Sequence, residues 1–392
     1  KLSIFKNNTD FVGNSYGCHE NYLVDRDVDF YYLAEQLIPF LVTRQIYTGA
    51  GKVFQTQDGI HYCVSQRAQH IYQKISGTTT NDRSIINTRD EPQADREKYR
   101  RLHVIVGDSN MSEYTNFIKV GTASVVLQMI EDNYINKDFT LRNPVKAIKD
   151  ITYDATCKRK LRLDNGREYS PIVIQREYCE MAQKYIEQYP VTEDHKKAVH
   201  MWQHVLDCLD TDPNKLDRQI DWVIKRKLIQ SWVDKHETTW DDPRVLMLDL
   251  QYHDIRRERS LFYLMERKGA VERLFTDEQV DAAKATPPPD TRAKMRGEFI
   301  KLARENSIQY DLDWSNIRLG NLLNVRVSQN AQDAIGAPAI FSVYSENTSA
   351  ASAFSSPRSR GCLRPCSPES ICRTQSSPPS RLTGRSPTAS SR

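Results

Sequence analysis

The sequence predicts an α+β fold built on a largely antiparallel sheet, and two patterns carry that expectation. Four short strand-like runs and one helical run occupy the first 106 residues, without the regular strand–helix alternation of a parallel sheet. From Ser112 to about Lys268 the apolar residues instead recur at spacings of three and four, the period of helices with one buried face. Composition sets the class. A chain of 392 residues, 39% hydrophobic and 27% charged, is ample for a sizeable core, with roughly two to three domains as a prior.

Taken in order, Leu2, Ile4 and Lys6 alternate with Ser3 and Phe5 as in a strand. A domain seldom begins inside a strand, so the start reads as a cut. Residues 17–24, 53–55, 61–66 and 102–106 are the four strand-like runs, each bounded by turn residues. Between the first two, 30–43 carries Leu33, Leu37, Phe40 and Leu41 near helical spacing, and Pro39 predicts a kink or a boundary there. Residues 120–130, 173–189, 193–208 and 218–234 read as helices. The run 284–290, with Pro287, Pro288 and Pro289, reads as a stiff linker or turn. A helix over 291–305 and a strand over 308–314 follow.

After Leu319 the character changes. The last 73 residues hold 16 Ser, 7 Pro and no Lys, and no apolar period is sustained. Such a stretch cannot offset its ordering entropy by burial, so a disordered tail over 320–392 is expected. A phosphorylated Ser-Pro tail and a stretch without function are two readings, and the abruptness suggests a third, a reading-frame slip near Gly320. That tail also explains the charge. It carries eight Arg against three acids, +5 of an overall +4, which leaves the body at −1. A nucleic-acid binder would need its positive charge on a folded surface with aromatics for stacking, so no nucleic-acid partner is expected. No apolar run approaches the roughly 18 residues of a membrane span. Residues 1–10 lack the build of a secretory signal. Eight cysteines without a CxxC pair fit neither a disulfide nor a zinc scaffold. A cytoplasmic protein without a membrane partner is expected.

Two tempting motifs fail. Gly49-Ala50-Gly51-Lys52 suggests a phosphate loop, but Ile46 stands where the first glycine belongs and Val53 where Ser or Thr would hold magnesium. It reads as a turn. His200 and His204 could clamp a metal from one helix face, but no Glu follows His200, and Met201, Trp202 and Val205 suit an ordinary packed helix.

What survives lies on two strands. Alternation puts His19 and Asn21 on one face and Glu20 and Tyr22 on the other. In the later strand Leu102, Val104 and Val106 form an apolar face, while Arg101 and His103 share the opposite one. A sheet with His and Arg on one side and aliphatics on the other has a wet or ligand-lined face, although a lone strand His is more often structural. Arg67 and Arg89 add two guanidinium groups near these strands. Guanidinium forks bind phosphate oxygens bidentately. The plainer alternative for Arg89 is a local ion pair with Asp90 or Glu91. Together these groups suit a metal-bound nucleotide.

The wording of several segments goes further. Phe5-Lys6-Asn7-Asn8-Thr9-Asp10, Gly13-Asn14-Ser15-Tyr16-Gly17-Cys18-His19-Glu20-Asn21-Tyr22, Ile85-Ile86-Asn87-Thr88-Arg89-Asp90-Glu91-Pro92 and residues 99–113 resemble the Pup ligase family. Asp249-Leu250-Gln251-Tyr252-His253-Asp254 and Thr291-Arg292-Ala293-Lys294 continue the resemblance, which covers about 2–319. It implies a glutamine-synthetase-like carboxylate–amine ligase fold, a curved antiparallel sheet backed by helices. Residues 1–276 would be part of the catalytic domain and 277–319 part of a small C-terminal domain. The implied reaction uses ATP and magnesium. The side chain of Pup's C-terminal glutamate is phosphorylated, and a target lysine displaces the phosphate to form an isopeptide bond, marking the target protein for the proteasome.

Carried over by motif, His19 and His103 would lie at the magnesium–ATP cluster, with Arg67 and Arg89 facing phosphate. Arg101 rests mainly on sharing a face with His103. Trp314 matches a nucleotide-contacting tryptophan. Asn14, Cys18 and Ser109-Asn110-Met111-Ser112-Glu113 favour the ligase over the sister depupylase, a Pup deamidase, which stays the alternative beside a non-catalytic Pup-binding product. The family's metal-binding glutamates and aspartate base fall upstream of Lys1, so no catalytic residue is assigned here and the chain alone is expected to be inactive. Gln93 stands where the family has His and receives no role.

Overall fold

The computed structural model describes residues 2–10, 12–56, 59–78, 82–90, 96–288, 291–312, 316–319 and 323–326. β1 (Glu20–Asp25) is followed by α1 (Phe30–Thr43) and the single-turn α2 (Gln45–Thr48). The hairpin β2 (Lys52–Thr56) and β3 (Gly59–Cys63) precedes β4 (Gln73–Ser76), β5 (Ser84–Asn87) and β6 (Tyr99–Val104). Helices α3 (Glu113–Glu131) and α4 (Pro144–Thr152) lead to the two-residue strands β7 (Leu161–Arg162) and β8 (Glu168–Tyr169). Then come α5 (Pro171–Gln188), α6 (Glu193–Thr211), α7 (Asp221–Lys235), α8 (Pro243–Tyr252) and α9 (Leu261–Arg267). α10 (Asp277–Ala285), α11 (Arg292–Glu305), β9 (Tyr310–Leu312), β10 (Asn316–Leu319) and β11 (Leu323–Arg326) complete the described chain.

The central sheet runs β1-β6-β5-β4. β6 pairs antiparallel with β1 and β5, but β4 and β5 run parallel, so the sheet is mixed: largely antiparallel, and not the wholly antiparallel one that the resemblance implies. The physical reason is length. A four-residue strand is only about 13 Å long, and the seven residues separating β4 from β5 can span that return.

Val24, Leu102, Val104, Ile85 and Ile86 lie in one core with α1, α3, α5 and α6. α1 forms where Asp29 caps the Tyr32 amide and an apolar run follows; Leu33 through Thr43 are buried except Glu35 and Gln36. It continues through Pro39 instead of stopping there, and the Thr43 hydroxyl donates to the Pro39 carbonyl. On α6, Val199, Trp202, Val205 and Leu206 are buried while His200 and His204 face solvent, the ordinary packed helix expected. Burying a side chain of this size contributes about 1.5–3 kcal/mol, far more than exposed imidazoles add.

The amino-terminal residues do not form a strand of the sheet. Phe5 makes a single bridge to Asp254 and Thr9 one to Ser15, while Lys6 N donates to the His253 carbonyl. Their alternating pattern is spent on docking against the loop after α8. At the other end, α10 runs to Ala285, two residues into the expected linker, and β11 pairs with β10 beyond Leu319, inside the segment read as tail.

A basic, open sheet face as candidate functional site

Register across the sheet builds the site. Asn21 stands opposite His103, His103 opposite Asn87, and Asn87 opposite Ser76, a polar row crossing all four strands. One step along, Leu23 faces Arg101. The adjoining row, with Glu20, Val104, Ile86 and Ile75, points the other way, toward the helices. The division into a wet and an aliphatic face is therefore as the alternation predicts.

His19, just before β1, reaches over this face. His19 Nδ1 and His103 Nε2 share a hydrogen bond at 2.8 Å, with the rings 4.8 Å apart. His103 is buried and His19 is exposed. Partial desolvation, and then the charges of Arg67 and Arg101, hold the His19 imidazole below its ordinary pKa, so it is neutral at pH 7. Both guanidinium fields thus reach the same ring. Gly17 makes room for it: a Cβ there would sit 2.4 Å from His19 Nε2 and 3.3 Å from Arg67 Nη1.

Arg67 is 2% exposed, and its Nη1 donates to the Tyr16 carbonyl at 2.6 Å. Its Nε is buried without a partner, and no carboxylate pairs with it among the described residues. Burial lowers its pKa, only partly offset by the Asp108 charge. A buried guanidinium without an acid is costly unless an anion completes it. Arg101 also has a buried, unpartnered Nε, and its Nη2 lies 3.4 Å from the Arg89 carbonyl. Asp90 is engaged by Arg26 at 2.9 Å and by the Arg101 amide. Arg89 itself is exposed at the end of β5. Trp314, Glu91 and Gln93 lie outside the described residues.

Beneath the face, Glu20 is buried against Arg44 at the end of α1 and accepts from the Tyr22 hydroxyl. A second buried network joins Lys225 of α7 to Asp249 at 2.7 Å, the Gly51 carbonyl at 2.6 Å and His253 at 2.8 Å. Gly51, with φ +67°, sits in the buried Gly49–Lys52 segment, which links α2 to the first residue of β2. Sequence reasoning assigned nothing to Arg44, Lys225 or Asp108. Their only available signal was a charged residue inside an apolar pattern.

The described residues do not make a magnesium cage. They offer two imidazoles bonded to each other, and no group of three His, Cys, Asp or Glu stands together among them. Magnesium seeks oxygen ligands in near-octahedral geometry, so this donor set does not fit it.

A mixed sheet with one face packed on helices and a second face that carries His103 and Arg101 defines an α+β protein. The family described as Pup-ligase protein matches residues 1–318. The Pup–protein ligase of Mycolicibacterium smegmatis is 51% identical over 321 residues, covering 82% of this chain and 71% of that protein. That of Mycolicibacterium gilvum gives the same figures. A solved structure of the Pup ligase PafA in complex with ADP matches with a TM-score of 0.77 and 37% identity, over 87% of this chain and 77% of its own. The complex between the prokaryotic ubiquitin-like protein Pup and its ligase PafA matches at 0.77 and 36%, over 91% and 77%. The chain belongs to the Pup ligase family.

Proposed function

We propose that this protein attaches Pup to protein lysines at the expense of ATP. The observation that carries the reading is Arg67, a buried cation with no acid partner among the described residues, whose charge reaches His19 together with that of Arg101. The relatives' names supply the reaction class, and the ADP complex of one of them supplies the nucleotide. In this reading the γ-phosphoryl group passes from ATP to the side-chain carboxylate of Pup's C-terminal glutamate, releasing ADP. A lysine amine then attacks the acyl carbon, phosphate leaves, and the amine proton passes to a base. Arg67, Arg89 and Arg101 would hold the charge of the moving phosphoryl group. Neutral His19, oriented by His103, would hydrogen-bond at the phosphate end. Magnesium would arrive with ATP, and the described residues do not cage it.

The same reading takes the architecture as glutamine-synthetase-like, with 1–276 in the catalytic domain and a small C-terminal domain that starts at 277 and includes β11. Trp314 would stack on adenine. The products would be proteins bound for the proteasome. A cytoplasmic setting is supported by the five described cysteines, all free thiols. No helix among the described residues is long and apolar enough to cross a membrane.

The test is incubation of the protein, joined to the family residues expected upstream of Lys1, with ATP, Pup ending in Glu and a lysine-bearing target, read by intact mass. A target heavier by one Pup minus one water, formed only with ATP, is expected. No conjugate, with ammonia released from Pup ending in Gln, would overturn the ligase reading in favour of a deamidase.

A further inference from the structure

We infer that Asp108 is the positioning residue for Arg67, acting through the backbone of two loops; the inference rests on the reading of Arg67 as a phosphate-facing group. Asp108 lies four residues beyond the end of β6 and is fully buried. Its Oδ2 accepts from the amides of Ala50 and Gln66, both at 2.8 Å. Its Oδ1 accepts from the Arg67 amide and the Ser65 hydroxyl, both at 3.1 Å. Ser65 Oγ in turn accepts from the Arg67 and Ala68 amides at 3.2 and 3.3 Å. One carboxylate thus gathers three backbone N–H groups and a hydroxyl from segments 41 to 58 residues away in sequence.

What this arrangement fixes is the origin of the Arg67 side chain. Among the described residues the guanidinium itself is held at one point, the Tyr16 carbonyl, and its Nε has no acceptor. A long side chain with one tether keeps its aim only if its own backbone cannot move. Asp108 forms no ion pair with Arg67, so it leaves the guanidinium charge available while fixing the amide of the same residue. The rejected glycine turn acquires a purpose as well. Gly49 approaches the Val64 carbonyl so closely that a Cβ would lie 2.3 Å from it, and this approach brings the Ala50 amide to Asp108.

Asn at position 108 keeps the shape but places an NH2 group against at least two hydrogen-bond donors, which Asp satisfies and Asn cannot. The experiment measures nucleotide affinity with ATP and ADP, and the KM for ATP apart from kcat, for full-length D108N, R67A and the double variant. Circular dichroism and thermal melting show which variants are folded. We expect R67A and D108N each to weaken nucleotide binding by about tenfold or more, with the double variant no weaker than R67A alone. Unchanged nucleotide affinity in folded D108N, with R67A impaired, would overturn the positioning role and leave the Arg67 reading standing. Losses that add in the double variant would overturn it too, because Asp108 would then act elsewhere. Unchanged affinity in R67A would remove the Arg67 reading and this inference with it. Should D108N fail to fold, S65A carries the test: about threefold weaker binding is expected, and none of it in an R67A background.

Discussion

Gly17 shows how narrowly the site is drawn at the scale of one residue. A single methyl group there collides with His19 Nε2 and presses on Arg67. Gly17 is exposed, so the collision is relieved by turning the His19 ring and not by disturbing the core. Gly17→Ala is therefore expected to lower the conjugation rate by about tenfold while the melting temperature stays within a few degrees; a rate equal to wild type would mean that the ring position is immaterial. On the reverse face, Glu20 obeys a different balance. Burial alone would raise its pKa, but Arg44 and then Lys119 outweigh it, and the net value lies below the ordinary one. A depressed carboxyl stabilises the fold above about pH 4.3 and loses that contribution as the pH falls through its folded value. Arg44→Met strands the carboxylate, and such losses cost about 3–5 kcal/mol at neutral pH. Burial then prevails and raises the Glu20 pKa, so protonation relieves the variant. Urea midpoints at pH 7 and pH 5 should show the deficit narrowing on acidification.

At the scale of elements, the buried network between α7, α8 and the Gly51 turn ties together pieces distant in sequence, and His253 is its titratable centre. Burial, and then the charge of Lys225, push its pKa well below the ordinary imidazole value. A depressed histidine favours the fold above its unfolded pKa, near 6.5, and that stability is lost as pH falls, because the unfolded chain takes up the proton first. The expected slope is up to about 1.4 kcal/mol per pH unit below 6.5. The difference between wild type and His253→Gln isolates it from the other histidines; parallel stability curves for the two would show that His253 protonates while folded. The same network marks where sequence reading stopped. α1 was legible because its apolar period is local, and His19 and His103 were legible because strand alternation is local too. β4 and β5 were not, since four residues such as Ser84-Ile85-Ile86-Asn87, buried on both faces, show no alternation. Asp108 was quoted within a motif yet had no visible role, because every bond it makes to the loops is tertiary.

For the whole molecule, the boundary of the family match and the boundary of the fold differ. The match ends at residue 318, but β10 is flanked on both sides, by β9 through three register pairs and by β11 through four. β11 lies in a segment whose composition gave no reason to expect it. Composition predicts whether a segment can build a core of its own, whereas a strand added to an existing sheet needs only main-chain partners. Ile317 of β10 is buried, and Phe299 of α11 packs edge-on to Tyr310 of β9, so the small sheet already has a covered face. Ending the chain at Leu319 would leave the β10 edge with unpaired N–H and C=O groups and reduce the sheet to a marginal pair of strands. A protein ending at Arg326 keeps the edge closed without the Ser- and Pro-rich remainder. Side by side, the version ending at 319 is expected to scatter more light on warming and to be cut sooner by protease within 292–319. The version ending at 326 should match the full-length chain. Equal behaviour of the two truncations would mean that β11 contributes nothing to closing the sheet, and the functional boundary would then fall where the family match ends.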